Sequence, residues 1–314
     1  MTRECDEVAA RIRELFAASG YGIGFHAVEL GGDAEIAVDA DEPAVVGSVF
    51  KIWVALEYFR QVADGTLDPA TRVRLAPGGR TPGPVGISAL KYDVEASLGD
   101  LAALMMWLSD NAATDAVLDA VGGPERVTAT LAGLGRTRTR LTLNTMDMID
   151  EIAVQQGFPD MATLIATDPA DMDPAELAAL PHRTPRLAAF DPARAAAVST
   201  PRDTTALLDQ IWRDAAGPAR ACHGVRELMR RQHSRARIAS GFDHDRGAAT
   251  VYAKSGGLSG VVRNEAGAVR LADGRTFLVA AYTTADPAEG GAGPADRMIG
   301  TAARLAVDAL SGRT

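Results

Sequence analysis

Strand-like alternation is confined to two stretches near opposite ends of this 314-residue chain, and nearly everything between them is helical in pattern. Gly22–Leu30 and Glu35–Asp39 alternate apolar and polar residues around Gly31-Gly32-Asp33, which predicts a hairpin. Ala249–Lys254, Val261–Leu271 and Thr276–Thr283 predict three more strands, with a turn at Ala272-Asp-Gly-Arg275. Residues 3–18 carry Val8, Ile12, Leu15 and Phe16 at helical spacing, and 201–231 and about 294–310 follow the same period. A helical pattern also runs from Ser48 to Leu134, broken by the Gly/Pro-rich loop Ala76–Pro84. There is no βαβ alternation, no GxGxxG, no P-loop and no internal repeat. Strand sets so far apart are expected to join in one five-stranded antiparallel sheet built from both ends (about 20–40 and 249–283). A helical lobe from about 48–145 and 199–231 would face it, making 1–314 a single α+β domain.

Residues 146–198 fit neither pattern. They hold six prolines (159, 169, 174, 181, 185, 192), short helical pieces such as Ala175–Leu180, and the apolar anchors Ile149, Phe158, Leu164, Leu187 and Phe190. This composition predicts an inserted lid or subdomain rather than a linker. Hydrophobic residues make up 47% of the chain, enough for a full core, and the net charge of -9 argues against nucleic acid or an anionic membrane as partner. No apolar run is long enough to span a bilayer. The start, Met1-Thr-Arg-Glu-Cys-Asp-Glu, lacks an apolar signal core, so the expected location is the cytoplasm. Cys5 and Cys222 make neither a disulfide framework nor a zinc site, and the five histidines form no ligand-spaced cluster. His182, His223, His233 and His244 sit in polar contexts expected at the surface, while His26 alternates within a strand. No metal or cofactor is implied.

Lysine is scarce: only Lys51, Lys91 and Lys254, against 32 basic residues in all. In Ser48-Val-Phe-Lys51, every residue from Val49 to Leu56 except Lys51 is apolar, so the helix is expected to be buried and Lys51 with it. A desolvated ammonium lowers its pKa or finds partners, and a serine one turn away would be an activated nucleophile. An N-cap serine with an outward-snorkelling lysine fits the same four residues. Ser88-Ala-Leu-Lys91 has identical spacing but precedes Tyr92-Asp93-Val94-Glu95, where Lys91 reaches solvent and nothing would depress its pKa. Ser109-Asp110-Asn111 lies between two helical runs, where a capping role is open. Lys254-Ser255-Gly256-Gly257 ends a strand, its glycines permitting close approach of a ligand to the backbone.

Taken together and in this order, SxxK, SDN and KSG resemble the signature set of class A serine β-lactamases and penicillin-binding proteins. The 61-residue step from Ser48 to Ser109, Ser97–Leu108 before SDN, Ala112–Leu118 and Gly122-Gly-Pro124 after it, Thr200-Pro-Arg-Asp203, and the step from Lys254 to Arg263-Asn264-Glu265 extend the likeness. The resemblance implies a β-lactamase/transpeptidase-like fold and an acyl-Ser48 intermediate. Lys51 would take the Ser48 proton, Ser109 would pass a proton to the leaving group, and the amides of Ser48 and Gly257 would form the oxyanion hole. Asn111 would bond the acyl-side amide of the substrate, and Lys254, Ser255 and Arg263 its carboxylate.

One element of that family is missing. Counting from Gly122-Gly-Pro124 through Arg140-Leu141, the glutamate that activates the deacylating water is replaced by Thr145, and the Pro-rich insert stands where the omega loop would be. Asp147, Asp150, Glu151 and Asp160 are the carboxylates at hand. The family's central disulfide pair is also lacking, in keeping with a reducing compartment. The expected function is a serine hydrolase acting on a carboxylate-bearing amide, ester or β-lactam, with slow β-lactamase activity. Two other functions fit the same residues: a true β-lactamase with a base from 146–198, and a non-catalytic protein that holds a β-lactam-like ligand.

Overall fold

The computed structural model describes residues 2–242, 249–285 and 295–313; His244 and Pro294 lie outside them. The chain opens with α1 (Thr2–Ala17), β1 (Tyr21–Glu29), β2 (Glu35–Val38) and the short β3 (Ala44–Val45). Then come α2 (Lys51–Asp64), β4 (Arg72–Leu75), β5 (Val94–Ser97), α3 (Leu98–Trp107), α4 (Asn111–Val121) and α5 (Gly123–Gly133). The middle holds β6 (Arg140–Leu141), α6 (Thr145–Gln155), α7 (Met161–Ala166), α8 (Pro174–Arg183) and β7 (Ala197–Ser199). The chain closes with α9 (Pro201–Trp212), α10 (Ala219–Arg230), β8 (Ala249–Leu258), β9 (Val262–Leu271), β10 (Thr276–Ala285) and α11 (Ala295–Ser311).

The five-stranded sheet has the order β2-β1-β10-β9-β8, antiparallel throughout, so the two ends of the chain do meet in one sheet. Tyr21 stands opposite Ala285 and Glu29 opposite Phe277. Successive side chains point to opposite faces. Ala266, Ala268, Leu278, Ala280 and Tyr282 therefore join the core of the helical lobe, while Val269, Leu271, Phe277, Val279 and Ala281 lie under α1 and α11 with Ile12, Phe16, Ile299 and Ala303. Both faces are covered, which is why these strands are apolar almost without interruption.

At the centre of the lobe lies α2, buried at every residue from Lys51 to Tyr58. Its carboxylate Glu57 accepts from Gln61, Arg126 and Thr130, tying α5 to α2. The expected surface histidines His182, His223 and His233 are exposed. His26 is buried, with Nδ1 2.6 Å from Thr205 Oγ1 and Nε2 3.0 Å from Glu35, and it ties β1 to α9; burial pushes its pKa down.

Three features differ from the sequence expectation. The strand carrying KSG does not end at Lys254 but runs on to Leu258, because Ser255 to Leu258 keep pairing with β9. The loop 76–84 is flanked by a two-stranded ribbon, β4 with β5, whose four-residue strands are too short and too exposed to stand out from the helices around them. The 146–198 segment is largely helical: Pro169 opens a 3-10 turn and Pro174 opens α8, where proline's missing N–H is not needed. Leu187 and Phe190 anchor it as expected, together with Ile152, against Val45, Val198, Val261 and Val262, whereas Ile149, Phe158 and Leu164 are only half-buried.

Candidate active site

Ser48 lies in a 3-10 turn, Gly47–Phe50, that leads into α2. It is not the N-cap: that position falls to Phe50, and no side chain caps the helix. Gly47 turns the chain with φ of 53°, and the turn rests on the KSG strand. A Cβ on Gly256 would lie 2.4 Å from the Val46 carbonyl and 3.1 Å from the Ser48 nitrogen, and one on Gly47 would lie 3.0 Å from the Gly257 nitrogen. Only glycine at these places lets the turn carrying Ser48 pack this closely on the strand carrying Gly257.

Lys51 is fully buried, with no solvent-exposed area. Its Nζ donates to Ser109 O at 2.7 Å, to Ser109 Oγ at 3.2 Å and to Asn111 Oδ1 at 2.9 Å. All three acceptors are uncharged, and burial pulls the pKa down to about 7, against an opposing pull from Asp115 and Asp110. Ser109 sits at φ of 65°, a left-handed conformation that costs a serine energy and that turns its hydroxyl between two amines. The second amine is Lys254, whose Nζ donates to Ser109 Oγ at 3.0 Å and to Ser255 O at 2.8 Å. Lys254 is equally buried, and desolvation together with Lys51 holds its pKa well below the usual lysine range.

Asp110 does cap α4, accepting from Ala113 N, and also accepts from Ile87 N and Ser88 Oγ. Ser88 in turn accepts from Ala112 N, so the second SxxK serine is a brace for the SDN turn, and Lys91 is exposed. Asn111 donates to Pro82 O at 2.9 Å.

Behind the KSG strand lies a buried polar group that the sequence did not signal. Gln232 accepts from Ser255 N and donates to Glu265, which also accepts from Ile238 N; burial raises the Glu265 pKa. Arg237, 6% exposed, donates to the carbonyls of Gly256 and Asn264 and to Asp296. Glu265 was visible only as a companion of Arg263, and Gln232 and Arg237 lie in a polar stretch without periodicity. Arg263 stands across the ladder from Gly257, with Nε 3.6 Å from Asp296 Oδ1.

Ser48, Asn111 and Gly257 open onto a cleft with about 600 Å³ of empty space. Val45, Phe50, Met148, Ile149 and Leu258 give it apolar walls. Thr145, at the place the resemblance gives to the water-activating glutamate, is a wall residue too, and its buried Oγ1 has no hydrogen-bond partner among the described residues. Asp115, four residues past Asn111 on α4, accepts from Thr145 N, Met146 N and Thr81 Oγ1 and so clamps the start of α6. Of the insert carboxylates, Asp160 caps α7, Asp150 accepts from Met161 N, Asp147 is exposed, and Glu151 lines the cleft. Among the described residues no cluster of His, Cys, Asp or Glu could hold a metal, and no helix is long and apolar enough to cross a membrane.

A sequence model described as "Beta-lactamase enzyme family" matches residues 7–310. The beta-lactamase regulatory protein BlaB of Streptomyces cacaoi is 28% identical over 96% of this chain and 96% of its own length. Among solved structures, a mutant of PBP-A in an acyl-enzyme complex with penicillin G superposes with a TM-score of 0.75 at 18% identity, covering 98% of this chain and 97% of that one. A beta-lactamase from Sphaerobacter thermophilus gives 0.73 at 21% identity, with 97% of each chain covered. These two likenesses establish the fold.

Proposed function

The chain belongs to the beta-lactamase enzyme family, and on that footing we propose that it is a serine hydrolase that forms its acyl-enzyme readily and empties it slowly. Its substrates are carboxylate-bearing amides, esters or β-lactams. The observation that carries this is Lys51: a fully buried amine with a pKa near 7, bonded only to neutral oxygens and to the SDN serine, one helical turn from Ser48. Neutral Lys51 takes the Ser48 proton as Oγ bonds to the substrate carbonyl carbon. The tetrahedral oxyanion faces the amides of Ser48 and Gly257. When the carbon–nitrogen bond breaks, the leaving nitrogen receives its proton through Ser109, whose hydroxyl both lysines hold. Lys254, Ser255 and Arg263 supply the charge and hydrogen bonds for a substrate carboxylate.

The second half of the cycle needs water to attack the ester carbon while a base removes its proton. Thr145 offers a hydroxyl where a carboxylate would be needed, and it cannot accept that proton near neutral pH. Glu151, the one insert carboxylate on the cleft wall, has no hydrogen bond or ion pair among the described residues that would fix it over Ser48. A persistent adduct also suits a sensor of β-lactam exposure, a role consistent with the name of the Streptomyces cacaoi relative. Intact mass after incubation with benzylpenicillin tests the core of the proposal: a stoichiometric adduct is expected on the wild-type chain and none on Ser48→Ala. No adduct on wild type, or an equal one on the variant, overturns it.

A further inference from the structure

The cleft over Ser48 is electrically lopsided. Lys51, Lys254, Arg237 and Arg263 gather around the KSG strand, and none of them lines the apolar part of the cleft in front of Ser48. The wall opposite is α6, which presents Met148 and Ile149, and beyond them Glu151. Glu151 is the only charged residue among the described ones lining the cleft. Every other insert carboxylate that is held by a hydrogen bond is held by a backbone amide of the insert itself, as Asp150 is by Met161 and Asp160 by Thr163. Glu151 has no such partner among the described residues, is exposed, and lines the apolar space. An exposed carboxylate without a fixing bond is a poor general base but an adequate receptor for a cation arriving on a ligand.

Resting on the acyl-Ser48 proposal, the geometry points to a zwitterionic acyl donor as the substrate class: a carboxylate on the leaving-group side, and an acyl group whose apolar side chain bears an ammonium that pairs with Glu151. Glu151 is thus a specificity residue, with no part in bond making. It acts on substrate capture: Ser48 Oγ still bonds to the acyl carbon, the carbon–nitrogen bond still breaks, and the leaving nitrogen still gains the proton that Ser48 gave up.

Three penicillins that share one nucleus and differ at one acyl carbon separate the charge states: ampicillin with an ammonium, benzylpenicillin with hydrogen, and carbenicillin with a carboxylate. Second-order acylation rates are read by intact mass at low ionic strength. An exposed ion pair is worth up to about fivefold, so ampicillin should lead benzylpenicillin by about two- to fivefold and carbenicillin by about tenfold. Glu151→Gln should erase the order and Glu151→Lys reverse it, with unchanged melting temperature because the residue is exposed. The wild-type order should also flatten as salt rises. Equal wild-type rates, or an order that survives in Glu151→Gln, overturn this inference while leaving the acyl-Ser48 proposal intact. If none of the three acylates Ser48, the proposal falls and takes the inference with it.

Discussion

Lys51 has given up water without gaining a carboxylate at hydrogen-bond distance; its partners are one carbonyl, one hydroxyl and one amide oxygen. On the proposed mechanism its pKa, drawn down to about 7 by burial, sets the pH dependence of acylation. Below that value the amine is protonated and cannot accept from Ser48, so the acylation rate should fall about tenfold per pH unit and level off above it. Lys51→Arg, charged at every accessible pH, should show no such rise and at most a trace of adduct in the same pH series. Thr145 makes the complementary case. Thr145→Glu places a carboxylate on the wall that Ser48 shares, and it should shorten the adduct lifetime by about a hundredfold or more if a base is all that deacylation lacks. Asp115, already bonded to the Thr145 amide, would repel the new charge, so the paired change with Asp115→Asn should exceed the single one in a washout experiment. Ser48 and Lys51 stand out as candidates from residue type and spacing, whereas Ser109 does so only through the resemblance of the three motifs taken together. Asp115, Gln232 and Arg237 do not, since their partners, backbone and side chain alike, are brought close only by the fold.

Elements were legible where their period was long and one face was apolar: α1 and the hairpin β1–β2 follow the expected spans closely, whereas the helical run expected over 201–231 is two helices, α9 and α10, and α2 takes up only 51–64 of the run expected from Ser48. Short, exposed or two-residue strands such as β3, β4, β6 and β7 leave no periodic trace and form because neighbours dictate them. The length of β8 was underestimated for a related reason: two glycines lower strand propensity, yet here they remain in the ladder. Gly256 and Gly267 both lie where the ladder tolerates no side chain, a Cβ on Gly267 coming 2.0 Å from the Tyr252 carbonyl. Alanine at either should destabilise by about 1–3 kcal/mol. Only Gly256→Ala moves the turn that carries Ser48, so acylation measured well below the melting temperature should drop far more in that variant than in Gly267→Ala. Equal losses in both would mean that the turn and the strand are not coupled.

Across the whole molecule, two fully buried lysines and the buried Glu265 make stability sensitive to pH in ways a surface charge would not. Lys51 is harder to protonate folded than unfolded, so between pH 7 and its unfolded value the unfolded chain binds more protons and stability rises with pH. The penalty is complete below pH 7. Lys51→Met should therefore melt higher than wild type at pH 6, with the advantage shrinking by pH 9, while losing acylation altogether. The sheet has a further consequence. β1 has no partner but β2 until β10 exists, and the turn carrying Ser48 packs on the strand carrying Gly257, more than two hundred residues further along the chain. While a ribosome is still making the protein, the helical lobe can collect its apolar side chains, but Ser48, the proposed nucleophile, still lacks the strand proposed to complete its oxyanion pocket. On the proposed mechanism, acylation of Ser48 has to wait until the KSG strand has been made, so a nascent chain that ends short of it should take up no acyl group.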